Sequence, residues 1–295
     1  MNLTAMPLAN RGILAVTGPD SRKLLQGQCT ADAQQMPNGS WTLGGLCTPK
    51  GRLYANFRLV CLDDEHFWLV MPRANIADTL ERLGKYAAFF KCELTDISLQ
   101  WHGIALAGAE ASGQPGGVRT DAAVTLELGD GRELLWLNPL AEPHYENRLQ
   151  TLETEASWLP ESHWDQAEIA AGLVWITPET QETFLPQAIA WDQLGGVSFS
   201  KGCYTGQEVV ARLHYKGSSK KGLRRVSGAG PAPAALTRLQ DENGKAVGDL
   251  AAAVGVDSDS WTGLAVLSLQ AEQITLNDRP VTPGDWVNTG AGTGG

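Results

Sequence analysis

One stretch carries most of the chemistry legible in the chain: Phe199-Ser200-Lys201-Gly202-Cys203-Tyr204-Thr205-Gly206-Gln207-Glu208-Val209-Val210-Ala211-Arg212. Thr205 and Glu208 stand at the spacing of a capping box, in which a hydroxyl and a carboxylate satisfy two free amides at a helix start. Tyr204 and Val209 are placed to close as a hydrophobic staple around it. Cys203 then lies just outside a helix N-terminus, where unpaired amides and the Lys201 ammonium favour a thiolate. A thiol so placed can act as a nucleophile, be oxidised reversibly or hold a soft metal transiently. Nucleophilic catalysis would also need a base, His214 or another histidine, brought within hydrogen-bond reach. Gly202 and Gly206 leave the backbone open to close approach. The same residues also fit a small buried cysteine beside an ordinary cap, and exposure separates the two readings.

The elements that must position this stretch can be read from periodicity. Ile13–Thr17 is β-prone, and Gly18-Pro19 ends it before Asp20 or Ser21 opens a helix through Leu24 and Leu25. Pro37-Asn38-Gly39 and Pro49-Lys50-Gly51 are turns flanking strands at Trp41–Cys47 and Leu53–Leu62, and Phe67–Met71 returns after a polar tip. Asn75–Tyr86 carries Ile76, Leu80 and Leu83 on one helical face. Four β-like segments between Leu94 and Leu137 alternate with breaks, among them the glycine-rich loop Ser112–Gly117, which lacks a phosphate-binding context. Helices follow at Pro143–Glu153 and from Pro160 to Gly172. Short β segments punctuated by glycine and proline fill the chain after Lys216-Gly217-Ser218-Ser219, and the sum is an α+β protein.

Whole-chain properties bound the function. At 295 residues the chain is long enough for two or three compact units, and 43% hydrophobic with 19% charged residues describes a folded globular protein. No apolar run is long enough for a membrane helix, and the opening residues lack a basic and apolar leader, so the cytoplasm is the expected location. Five scattered cysteines without a Cys-x-x-Cys pair suit reduced thiols and give no local metal-ligand signature. The net charge of −10 argues against general nucleic-acid binding. Yet Lys201 to Arg225 holds seven cations (Lys201, Arg212, Lys216, Lys220, Lys221, Arg224, Arg225) against Glu208 alone. That strip suits an anionic cofactor tail or an RNA backbone, and equally a solvated connector.

Lys-Gly-Cys-Tyr-Thr-Gly-Gln-Glu at 201–208 resembles the signature of the YgfZ family, folate-binding proteins related to the glycine-cleavage T-protein, an aminomethyltransferase. Further matching segments are Gly18-Pro19-Asp20-Ser21, Gln26–Asp32, Lys50-Gly51-Arg52, Lys85–Phe89, Phe184-Leu185-Pro186-Gln187 and Leu194–Phe199. The resemblance implies a T-protein-like fold with ferredoxin-like α+β lobes and a C-terminal β-barrel. Residues 1–215 would form a two-lobed folate-binding region, 216–290 the barrel and 291–295 a disordered tail. It implies tetrahydrofolate as cofactor and a role in assembly or repair of iron–sulfur enzymes, such as a tRNA methylthiotransferase; a folate-dependent one-carbon transferase is the alternative, and a tRNA-contacting factor acting through the Lys201–Arg225 strip a second.

Two family tryptophans associated with folate fall on Trp164 and, at the other position, on Arg11, which can itself stack on a ring. Lys201, Tyr204, Gln207 and Glu208 would orient the loop or touch the ligand, with Cys203 as the reactive group and no metal ligands. Where T-protein relatives carry a catalytic carboxylate, this chain reads Leu53-Tyr54-Ala55-Asn56-Phe57. An amide cannot shuttle a proton as a carboxylate can, so folate-dependent aminomethyl transfer would need a relocated acid.

Overall fold

The computed structural model describes residues 3–108, 117–119, 123–140, 145–217 and 220–287. The chain opens with β1 (Leu3–Pro7), β2 (Arg11–Thr17), α1 (Ser21–Gln28), β3 (Ser40–Cys47), β4 (Leu53–Cys61), β5 (His66–Pro72), α2 (Ile76–Ala87) and β6 (Glu93–Asp96). It continues through β7 (His102–Ala107), β8 (Val118–Arg119), β9 (Val124–Glu127), β10 (Arg132–Leu137), α3 (Tyr145–Glu155), β11 (Ala156–Trp158) and α4 (Glu161–Ala170). After α5 (Gln207–Lys216) come β12 (Lys221–Ala229), β13 (Arg238–Gln240), β14 (Ala246–Gly255), β15 (Ser260–Ser268), β16 (Ile274–Leu276) and β17 (Arg279–Trp286).

Alternation along β2 explains the layering. Leu14 and Val16 face α1 and α2, whose Leu24, Leu25, Ile76 and Leu83 complete one core. Ile13 and Ala15 point the other way, into a core shared with Met6, Ala105, Leu134 and Trp136 of a second sheet. A strand apolar on both sides therefore sits between two layers. Its sheet is antiparallel in the order β3-β4-β5-β2-β6, with Ile13 opposite Val70 and Leu14 opposite Leu69. The second sheet runs β11-β1-β7-β10-β9-β8, and its far face is covered by α3 through Leu152. β12-β15-β14-β13-β16-β17 close into a barrel. In β15, Trp261, Ala265 and Leu267 fill the barrel, while Leu264 and Val266 face outward onto a third body of residues.

That third body is the chain between α4 and α5. Residues 171–206 contain no helix or strand beyond a 3-10 turn at Pro186–Ile189, yet Val174, Ile176, Trp191 and Val197 are buried. They join Leu43 and Leu53 of the first lobe to Leu223, Leu264 and Val287 of the barrel end. The α+β and barrel expectations are met. The segments 112–116 and 291–295 lie outside the described residues. No helix among the described residues is long and apolar enough to cross a membrane.

Candidate functional site

Three of the segments carrying the family resemblance, Gln26–Asp32, Leu194–Phe199 and residues 201–208, come together around the C-terminal end of α1. That helix has no basic residue in its last turn, although its free carbonyls attract a cation. Lys201 supplies one from far along the chain: its Nζ donates to the carbonyls of Gln26, Cys29 and Ala31 at 2.7, 2.7 and 2.8 Å and lies 5.1 Å from the Tyr204 ring centre. Thr30 Oγ1 donates to Gly196 O at 2.5 Å and accepts from Gly45 N, and Ser198 N donates to Thr30 O.

The Lys50-Gly51-Arg52 turn docks on the start of α5. Gly51 and Gly206 both have positive φ, 74° and 86°, and a Cβ at Gly206 would sit 2.4 Å from Thr48 O and 3.0 Å from Gly51 Cα. Only glycine meets both demands there. Phe184 O receives Leu53 N, and Gln187 Nε2 donates to Val210 O.

This geometry corrects two expectations and answers the open question of a base beside Cys203. The cap of α5 is Gly206 in the left-handed region with no side-chain cap bond, so no capping box forms. Thr205 Oγ1 donates instead to Gln28 Oε1, and Glu208 is exposed. Lys201 is buried in its carbonyl cage, so its charge serves α1 rather than the Cys203 thiol. His214 stacks on Phe199, ring centres 3.7 Å apart, and makes no hydrogen bond to Cys203 among the described residues. Cys203 itself is exposed, the property that separates a reactive thiol from a core cysteine. The other cysteines near the loop differ: burial raises the Cys29 thiol and pushes Cys47 up to about 12. Burial likewise raises the Tyr204 phenol.

A second group of side chains is organised by α4. Arg58 makes a two-pronged pair with Glu168, Nη2 to Oε1 at 2.8 Å and Nη1 to Oε2 at 3.4 Å, with both side chains at most 3% exposed. The guanidinium lies 5.6 Å from the Trp41 ring centre and 5.0 Å from that of Trp175, and Trp175 Nε1 donates to Glu168 Oε2 at 2.5 Å. Burial alone would raise the Glu168 carboxyl; Arg58, with Arg11 and the indole N–H, brings it below its ordinary value instead. Arg11 pairs with Asp165 at 2.9 Å, and Arg132 lies 5.3 Å from the Trp164 ring centre. Burial raises the Asp165 carboxyl against the opposing pull of Arg11.

The two positions implied for folate, Arg11 and Trp164, thus meet at α4, in a setting that spacing alone did not reveal. Trp164 is fully buried, so its ring is core rather than an open wall. Its Nε1, Arg11 Nε, Arg58 Nε and Arg132 Nη1 are buried donors without a partner among the described residues. Between the two groups opens a cleft of about 400 Å³ lined by Asp32, Ser40, Trp41, Thr42, Val197 and Ser198. Trp41 belongs to both, lining the cleft while its ring faces Arg58; its Nε1 is committed to Glu127 O. Neither Cys203, Tyr204, Gln207 nor Glu208 lines this cleft. Trp41, Arg58, Glu168 and Trp175 went unnoticed in the sequence because no local motif contains them; the pairing partners Arg58 and Glu168 are 110 residues apart.

A model of the GCVT N-terminal domain matches residues 6–114. The chain is 34% identical over 270 residues to the tRNA-modifying protein YgfZ of Klebsiella pneumoniae (strain 342), covering 86% of this chain and 82% of that one. It is 33% identical over 277 residues to the protein of the same name from Vibrio vulnificus (strain YJ016), with 91% and 85% covered. The chain belongs to the YgfZ family of tRNA-modifying proteins. Its fold is that of glycine cleavage system aminomethyltransferase T from Bartonella henselae, with a TM-score of 0.74 over 96% of this chain and 84% of that chain at 16% identity.

In the Leu53–Phe57 stretch of this YgfZ chain, Asn56 has a structural part. Asn56 Nδ2 donates to Val174 O and its Oδ1 accepts from Ile176 N, both at 2.8 Å and buried. The amide clamps residues 174–176 to β4. A carboxylate could not donate the first of these bonds.

Proposed function

We propose that the protein binds tetrahydrofolate at the junction of the lobes and supports assembly or repair of iron–sulfur enzymes, among them one that methylthiolates tRNA. The observation that carries the folate reading is the set of four buried donors around α4 with no partner among the described residues, next to a cleft whose Trp41 ring faces Arg58. A pterin is flat and rich in acceptors, and its benzoyl-glutamate adds carbonyl and carboxylate oxygens. An aromatic face at Trp41 and free N–H groups on Arg11, Arg58, Arg132 and Trp164 are the complementary parts. Asp32, half-buried at the cleft, suits the amino edge of such a ring. Bound tetrahydrofolate supplies a one-carbon carrier and a reduced pterin. The chain's own contribution is to hold it, to exclude water with Trp41 and Trp175, and to present Cys203 on a loop anchored beside the cleft.

Titration with tetrahydrofolate while following tryptophan fluorescence tests this. Saturable quenching that weakens in Trp41→Ala and in Arg58→Lys supports the site, and an unchanged affinity in both removes it. Replacing Cys203 by Ala should impair tRNA methylthiolation in cells with the protein still folded; full activity would remove the thiol from the mechanism. Incubation with tetrahydrofolate and an aminomethyl donor should give no turnover, since the Leu53–Phe57 stretch offers no carboxylate to take up and release a proton.

A second reading, direct tRNA contact, is favoured by one exposed face of α5 that carries Arg212, Tyr215 and Lys216. The strip is shorter than its charges suggested. Arg224 is spent on the carbonyls of Gly284 and Ala271, and Arg225 on Ala170 O. Salt-dependent tRNA binding lost on neutralising Arg212, Lys216 and Lys220 would establish it.

A further inference from the structure

On the far side of Arg11 lies a different cavity, of about 380 Å³, between the two sheets of the N-terminal region. Its walls come from the end of β1, the starts of β2 and β7, the turn after β5, α3 and β11, so the space is framed by fixed elements. Trp101 and Trp158 line it together with Leu99, Arg11, Arg73 and His102. None of the described residues lining it is acidic, in a chain whose net charge is −10.

Three details give the cavity a chemical preference. Trp101 is held edge-on by Trp68, ring centres 4.6 Å apart, while Trp158 is 40% exposed, a costly position for an indole with nothing over it. The Arg73 guanidinium has no partner among the described residues; only its backbone is engaged, its N–H by Asn10 O and its carbonyl by Ile76 N. Arg11 turns one Nη to Asp165 but keeps a buried Nε without a partner among the described residues. His102 is fixed by a hydrogen bond with the Tyr145 hydroxyl.

We infer that this cavity is a second binding site, for a small flat ring compound bearing anionic oxygens. The indoles of Trp101 and Trp158 cover the ring, and the Arg73 guanidinium, with Arg11 behind it, takes a carboxylate or phosphate in a charge-assisted pair. The volume admits one or two rings with their acid group, in the range of a small-ligand pocket. The site shares no lining residue except Arg11 with the proposed folate site, and its existence does not depend on that reading.

Two probes separate the carboxylate and phosphate sources: 2-naphthoate and adenosine monophosphate, each titrated into the full chain with binding read by calorimetry. At least one should bind saturably, and affinity should fall about tenfold in Arg73→Gln and in Trp158→Ala, the loss of one charge-assisted bond or one stacking face. Both residues are exposed, so both variants should fold, which circular dichroism checks. Absence of binding by both probes overturns the inference, as does binding that persists unchanged in both variants. Tetrahydrofolate titrated into the same variants supplies the remaining arm. Unchanged folate affinity supports two separate sites. A parallel loss of folate affinity assigns the cavity to folate and overturns a second site, while leaving the folate reading intact.

Discussion

The irregular segment 171–206 and the barrel of residues 221–286 are both packed, but by different means. In the barrel, period-two alternation decides which side chains go inward, and any apolar residue of similar volume would do much the same work. In the irregular segment nothing repeats. Its course is set by single polar contacts at fixed places: Asn56 on 174 and 176, Glu168 with Trp175, Gln187 on Val210, Thr30 on Gly196 and Lys201 on α1. The difference implies that the barrel tolerates many changes a little, whereas the linking segment fails at a few positions sharply.

The largest effect should come from Glu168→Ala, which strands a buried guanidinium; about 3–5 kcal/mol of stability should be lost by urea unfolding. If the cost is that of an abandoned charge, the double change Arg58→Met with Glu168→Leu recovers most of it. In the barrel, Leu267→Ala removes buried methyls without leaving a charge behind, costing about 3 kcal/mol, and no partner substitution restores it. A full recovery there, or none at the ion pair, would erase the contrast. Lys201→Met leaves carbonyls at the end of α1 without their cation and should cost about 2 kcal/mol.

Acid sharpens the same distinction. The folded Glu168 carboxyl titrates below its ordinary value of 4.5, so its contribution is complete above that pH and is lost as pH falls through the lower folded value. A Glu168→Gln chain should therefore show a flatter stability profile below about pH 4.5 than the parent, measured by denaturation across that range. Smallest of all, Cys203→Ala should shift stability by less than about 0.5 kcal/mol, since an exposed thiol supports nothing, even where function is lost.

The contrast also explains what could be read from the residues alone. Strands such as Ser40–Cys47 and helices such as Ile76–Ala87 announce themselves because burial imposes a period, and their limits differ from the sequence reading by a residue or two. The family signature is legible as a motif, but the local physics at Thr205 is not. The threonine and glutamate had the spacing of a cap, while Gly206 adopts a left-handed conformation that only its contact with the Lys50-Gly51 turn explains. Lys201 looked like a neighbour of Cys203 and is instead a partner of Cys29, 172 residues away. Contacts of that range leave no trace in a window of sequence. The same holds for Trp164, whose burial depends on the sheets and Arg132, and for Arg224 and Arg225, whose charges are used up by carbonyls.

The carbonyl cage around Lys201 also acts as a mooring. Cys203 is two peptide units downstream, and two residues of chain reach at most about 7 Å. Even with Gly202 as a swivel, the sulfur sweeps a small arc over one patch of surface. If Cys203 has the proposed reactive role, a partner would have to come to that patch, so selectivity would reside in the visitor's shape more than in any travel by the thiol.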